Sequence, residues 1–198
     1  MVTMNRENMV NILEKVSDKS DLCYISSKTK YSLGLSYVIK YNEKFLMIAD
    51  TCDYEYDGYI IVKWESIEEI EHNERAIFES KIIKNENGKP NIANVIDIKL
   101  DSYKTIFNYF LDKNENITIY CDNCSEKYVY EDTTTALNIG KIIEVKDDYI
   151  LFKRFDGVGK WYPENKIYYS DISEILFGDR YTRIMSKYTH NWKGVLVW

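Results

Sequence analysis

The sequence predicts a mainly β protein with two helices, an α+β fold. The expected fold is a tandem duplication of a small, strongly bent five-stranded barrel, each copy preceded by a helix. Three observations predict it. Two stretches of the chain match each other at a common spacing, short β-branched and aromatic runs inside both alternate with tight-turn residues, and a segment with one apolar face stands before each.

The match sets Trp64-Glu65-Ser66-Ile67-Glu68-Glu69-Ile70 against Tyr169-Ser170-Asp171-Ile172-Ser173-Glu174-Ile175, an aromatic residue and two isoleucines in the same places. Upstream, Leu33-Gly34-Leu35 to Ile39 sets against Ile139-Gly140-Lys141 to Val145. The interval from Gly34 to Ile67 is 33 residues and that from Gly140 to Ile172 is 32, so the two blocks agree within one residue.

Each element follows from local pattern. Met9, Leu13 and Val16 recur at helical spacing and predict a helix over 5–16. In the first copy, strands are expected at 35–41, 44–49, 59–64, 67–71 and 75–79, with a turn at Asn42-Glu43 and an acidic loop over 50–58. The run 84–91 carries Asn87-Gly88 and Pro90, the strongest turn signal in the chain, and divides it into domains 1–89 and 90–198. Residues 92–99 are expected as a strand pairing back across that turn. A second helix begins after Asp101 as its cap, places Tyr103, Phe107 and Phe110 or Leu111 on one face, and stops at Asn114-Glu115-Asn116. In the second copy, strands are expected at 140–146, 149–155, 166–169, 172–177 and 181–185. Asp147-Asp148 turns the first pair and a longer loop opens at Asp156-Gly157-Val158-Gly159.

A helix followed by five bent strands resembles the Sm-like (SH3-like) small barrel. Ile172-Ser173-Glu174-Ile175-Leu176-Phe177-Gly178-Asp179 is similar to that family's second motif, an alternating apolar strand ending in Arg-Gly-Asp or Arg-Gly-Asn, with Phe177 at the place of the arginine. The resemblance covers about 40 residues in each half. It implies the small-barrel architecture, and an RNA-binding role for the chain as the alternative to protein binding.

Composition narrows the function. Lys and Arg number 26 against 32 Asp and Glu, a net charge of −6, which opposes non-specific attraction to nucleic acid and to anionic membranes. No apolar run approaches the length of a membrane helix, and Met1 to Glu7 lacks the apolar core of a signal peptide, so the expected location is cytoplasmic. No Gly-rich phosphate loop or nucleophile elbow occurs, and the two histidines lie far apart, so no enzyme is expected. Cys121-Asp122-Asn123-Cys124 has the spacing of half a zinc site, whereas a structural site needs four ligands; the pair reads as a plain strand-turn pair, with no metal and no cofactor expected. Glu71-His72-Asn73-Glu74 reads as an exposed turn histidine.

Two surfaces remain. Asp50, Asp53, Tyr54, Glu55, Tyr56 and Asp57 crowd four carboxylates and two tyrosines into the first copy's loop. Residues 34–84 carry 11 acids against 6 bases and residues 140–189 carry 8 against 9, so charge is polarised between the halves. Carboxylates steer a basic protein while tyrosines supply contact area, and a merely solvated loop is the plain alternative. The second surface interleaves Arg180, Arg183, Lys187 and Lys193 with Tyr181, Tyr188 and Trp192, a mixture suited to phosphates and bases or, alternatively, to packing at a barrel end. The expected function is therefore a non-enzymatic cytoplasmic protein-interaction module for a basic partner, for instance an immunity-type inhibitor of a bacterial toxin. The alternative is an RNA-binding regulator working through the C-terminal stretch.

Overall fold

The computed structural model describes residues 5–28, 34–93, 95–122 and 136–189. The chain divides into two compact units, residues 1–97 and 98–198. The first runs α1 (Arg6–Lys19), β1 (Leu22–Ser27), β2 (Leu35–Tyr41), β3 (Phe45–Cys52), β4 (Glu55–Lys63), a 3-10 turn at Trp64–Ser66, β5 (Ile67–Glu71) and α2 (Glu74–Asn87). The second runs α3 (Tyr103–Lys113), β6 (Ile117–Cys121), β7 (Ala136–Val145), β8 (Tyr149–Phe155), β9 (Asn165–Tyr168), a 3-10 turn at Tyr169–Asp171, β10 (Ile172–Phe177) and α4 (Arg180–Thr189).

Helix α1 begins because Asn5 stays extended and its side chain accepts the Glu7 N–H; it ends at Ser20, whose left-handed φ of 52° turns the chain out. Met9, Leu13 and Val16 form its buried face, as their spacing requires. Helix α3 is capped by Ser102 rather than Asp101: the serine accepts the Thr105 N–H, and Asn114 closes the helix at a φ of 51°. Its ring face stacks Tyr103 and Phe107 on Tyr169 at centroid distances of 5.4 and 5.7 Å.

The expected pair of small, strongly bent five-stranded barrels, each preceded by a helix, is corrected by the structure. The ten described strands make open antiparallel sheet, ordered β5-β1-β2-β3-β4 in the first unit and β10-β6-β7-β8-β9 in the second, and in neither unit does the last strand of that order pair with the first. The cause lies at the 3-10 turns. Three residues redirect the chain between β4 and β5, and again between β9 and β10, without the hairpin that would lay those strands side by side.

The strand set is also displaced by one element from the expected one. Residues 22–27 and 117–121 supply the first strand of each unit, β1 pairing β5 through Ile25 and Ile70, and β6 pairing β10 through Ile119 and Ile175. Residues 75–79 and 181–185, expected as strands, are helical. Asn73 caps α2 by accepting the Ala76 N–H, and Ala76, Ser80 and Ile83 then face inward at helical spacing. Asp179 plays the same part for α4 by accepting the Thr182 N–H at 2.8 Å. Residues 92–99 are no strand either, since the Val95 and Ile96 N–H groups both turn back to the Ile92 carbonyl. Of the expected strands, 35–41, 67–71, 149–155 and 172–177 stand at those residues, and Ile67, Ile70, Ile172 and Ile175 are all buried.

Close packing fixes the second unit's register. A Cβ on Gly140 would lie 2.0 Å from the Lys153 carbonyl oxygen and 2.7 Å from the Arg154 Cα. At Gly34, the matched residue of the first unit, the nearest atoms would be 3.9 Å away. Gly140→Ala should therefore lower the unfolding free energy by about 1–3 kcal/mol, and Gly34→Ala should change it by less than about 0.5 kcal/mol. Chemical denaturation of the two variants reads the difference, and equal midpoints would show that the β7–β8 register is slack.

Candidate functional site

The acidic stretch is built as a hairpin tip and not as the expected loop. Strand β3 runs on through Cys52, β4 starts at Glu55, and Cys52 pairs Glu55 across the turn. Asp53 and Tyr54 make that turn at φ values of 50° and 67°, the left-handed pair that a two-residue hairpin demands. Tyrosine adopts that region at a cost, so the surroundings must hold it. They do: the Asn87 side-chain amide donates to the Tyr54 carbonyl at 2.7 Å, and the Tyr56 hydroxyl donates to the Gly88 carbonyl at 3.4 Å. The end of α2 thereby braces the tip.

The brace leaves the polar side chains outside. Asp53 and Glu55 are exposed, neither is in an ion pair among the described residues, and Tyr54 is 50% exposed between them. Asp50, Tyr56 and Asp57 are half-buried along the strands below. The local field is negative. The Cys52 thiol is pushed up first by burial and then by Asp53, Asp57 and Asp50. Burial, with a smaller contribution from Tyr37, pushes the Tyr56 hydroxyl up to about 12.

The five described residues of the C-terminal surface lie on α4, where Arg180, Tyr181, Arg183, Lys187 and Tyr188 are all exposed. Trp192 and Lys193 lie outside the described residues. The inner side of α4 is polar: the Thr182 and Thr118 hydroxyls bond at 2.9 Å, and the Asn116 amide donates to the Ser186 hydroxyl at 2.8 Å. Cys121 is buried beside the Asn138 amide, and Cys124 lies outside the described residues. Among the described residues no three His, Cys, Asp or Glu side chains converge as metal ligands. His72, expected as an exposed turn residue, is instead half-buried with Nε2 3.5 Å from Asp21, which also pairs with Lys84. No described helix is long and apolar enough to cross a membrane.

Two features escaped sequence reasoning. One is a triad beside the first sheet, where the Tyr24 hydroxyl and the Arg75 guanidinium both donate to Glu79, the latter at 2.8 Å, and Arg75 lies 5.4 Å over the Tyr24 ring. The other is a basic aromatic face on β7, β8 and β9. Lys141 and Lys153 each lie 5.9 Å from the Trp161 ring, and Lys166 lies 4.7 Å over Tyr149. Its signal was present as alternation in Tyr149-x-Leu151-x-Lys153 and Lys166-x-Tyr168, but its members are spread over 28 residues.

The triad makes a pH prediction. Burial first, and then the bond to Glu79 and its charge, push the Tyr24 hydroxyl up to about 12. The unfolded tyrosine titrates near its ordinary value of about 10. Between those two values the unfolded chain releases the proton first, so stability falls as pH rises through this window. Tyr56 and Tyr169 are also pushed up to about 12, chiefly by burial, and act in the same direction. Tyr24→Phe should remove one share of the alkaline slope. Denaturation midpoints from about pH 9 to about pH 12 check this, and a variant slope equal to the parent's would contradict it.

Compared with known protein families, with curated proteins and with solved structures, the chain matches none of them.

Proposed function

We propose that the protein is a non-enzymatic interaction module whose acidic hairpin tip, Asp53-Tyr54-Glu55, engages a basic protein surface. The observation that carries the reading is the braced tip itself. A turn held in a costly conformation by Asn87 and Gly88 presents an exposed tyrosine between two exposed carboxylates. Rigid presentation lowers the ordering cost of binding, an aromatic side chain supplies contact area, and unpaired carboxylates accelerate encounter with a cation. An immunity-type inhibitor of a basic toxin is one concrete version.

The two units also support a reading of internal duplication. Trp64 Nε1 donates to the Asn42 carbonyl and the Tyr169 hydroxyl to the Lys146 carbonyl, both at 2.7 Å, so an aromatic residue opening each 3-10 turn grips a β-hairpin turn of its own unit.

Changing Asp53 and Glu55 together to Ser tests the function. Exposed like charges add little to stability, so the melting temperature should stay within a few degrees, as a change below about 1 kcal/mol allows. A basic protein captured from the source cells, identified and purified, should associate more slowly with the variant at low salt, the gap closing as salt rises. Equal association rates at low salt would refute the acidic-tip reading.

A further inference from the structure

We propose that the outer face of β7, β8 and β9 binds single-stranded nucleic acid, its lysines taking the phosphates and its aromatic rings the bases. This surface lies in the second unit and shares no residue with the acidic tip.

The argument begins with register. Lys141 stands directly opposite Lys153, Leu151 opposite Lys166, and Tyr149 opposite Tyr168. Ile150, Phe152 and Ile167, the alternate residues, are buried, so the facing set points away from the core. Like charges directly opposite each other on a sheet are destabilising. Among the described residues Lys141, Lys153 and Lys166 form no ion pair, whereas Glu144 on the same stretch of β7 is taken by Lys146. The face thus holds three cations without carboxylate partners, two of them in mutual repulsion, which a bound anion would relieve.

The rings decide which anion. Trp161 sits beside both repelling lysines and makes an edge contact with Phe155 that fixes its plane. Tyr149 and Tyr168 lie 5.6 Å apart, and Tyr168 is 40% exposed. In register the face runs from the Lys141–Lys153 pair, beside Trp161, through the row Glu144–Leu151–Lys166 to the Tyr149–Tyr168 pair. Acidic peptides offer no flat partner for three rings, whereas every nucleobase does. Along β8 the four steps from Tyr149 to Lys153 span about 13 Å, room for roughly two or three stacked bases. The acidic whole, at −6, limits binding to this local exception.

The test uses the full chain and fluorescein-labelled oligouridine and oligoadenine strands of about 12 nucleotides, a length within the usual single-strand site range. Anisotropy at low salt should rise on titration, and log affinity should fall with log salt at a slope of about −2, three contacts at roughly −0.7 each. Lys141→Glu with Lys153→Glu should weaken binding at least tenfold. Lys153→Glu alone restores an opposite-charge pair with Lys141, so it should hold or raise the melting temperature while also weakening binding; a merely structural role would not split the two readouts. Tyr168→Ser should weaken oligonucleotide binding while leaving binding of heparin, a polyanion without bases, unchanged. Absence of binding by the parent at low salt would overturn the proposal. So would full affinity in the double lysine variant, an unchanged affinity in Tyr168→Ser, or loss of binding only on changing Arg180, Arg183 and Lys187 of α4.

Discussion

Each unit is organised around one hydrogen-bonded grip, an aromatic residue holding the turn of a β-hairpin. Trp64 donates its ring N–H to the Asn42 carbonyl, and its backbone N–H reaches the Lys44 carbonyl across the same turn. Tyr169 donates its hydroxyl to the Lys146 carbonyl and its backbone N–H to that of Asp148. Four donors that a buried or half-buried 3-10 turn would otherwise strand are satisfied, and the hairpin is pinned to the strand that follows. The preceding helix adds a cation at the same turn: Arg6 donates to the Glu43 carbonyl and lies 4.9 Å over the Trp64 ring, while Lys104 pairs with Asp147. Helix, hairpin and 3-10 turn are therefore one cooperative knot in each unit, and the open order of strands follows from where that knot sends the chain.

A second constraint is buried polarity. The Ser80 hydroxyl accepts the Leu22 N–H at 3.0 Å and donates to the Ala76 carbonyl at 2.6 Å, which ties α2 to the start of β1. On α4 the inward face is made of Thr182, Ser186 and Thr189, with Tyr181, Ile184 and Tyr188 outside. Helix docking through hydroxyls gains less from apolar burial than docking through Leu or Ile, but it fixes the rotation of the helix, because a turn of one residue would leave the hydroxyls buried without partners.

These two constraints account for what could be read in the sequence. Residues 67–71 and 172–177 were legible because an aromatic residue and two isoleucines stand at the same spacing in both, the isoleucines all buried, and α1 was legible because its apolar face repeats at helical spacing. Helix α4 was illegible because its buried face is polar, so hydrophobic periodicity pointed to a strand. Residues 75–79 misled for the reverse reason: their short apolar run suits either state, and the deciding signal was the Asn73 cap. The acidic stretch looked like a loop because Asp and Glu are poor strand formers, yet cross-strand pairing from Thr51–Tyr56 to Cys52–Glu55 carried the ladder to the tip. The strand at 22–27 passed unrecognised since half of its last four residues are serines.

The basic face shows how packing can impose a charge arrangement that the local sequence would avoid. Gly140 pairs with Arg154 at a point where a Cβ would strike the Lys153 carbonyl, so sliding β7 by one residue would drive Ile139 or Lys141 into that oxygen. The register is locked by steric exclusion, and a one-residue slip would also turn Ile142 away from the core. Lys141 and Lys153 are held opposite each other as a consequence. Their repulsion costs a fraction of what the slip would cost, about 0.2–1 kcal/mol against the burial of several apolar side chains. Lys141 and Lys153 thus stand opposite each other beside a half-buried indole, neither in an ion pair among the described residues, and it is the packing at Gly140, not any attraction between the two cations, that sets this arrangement.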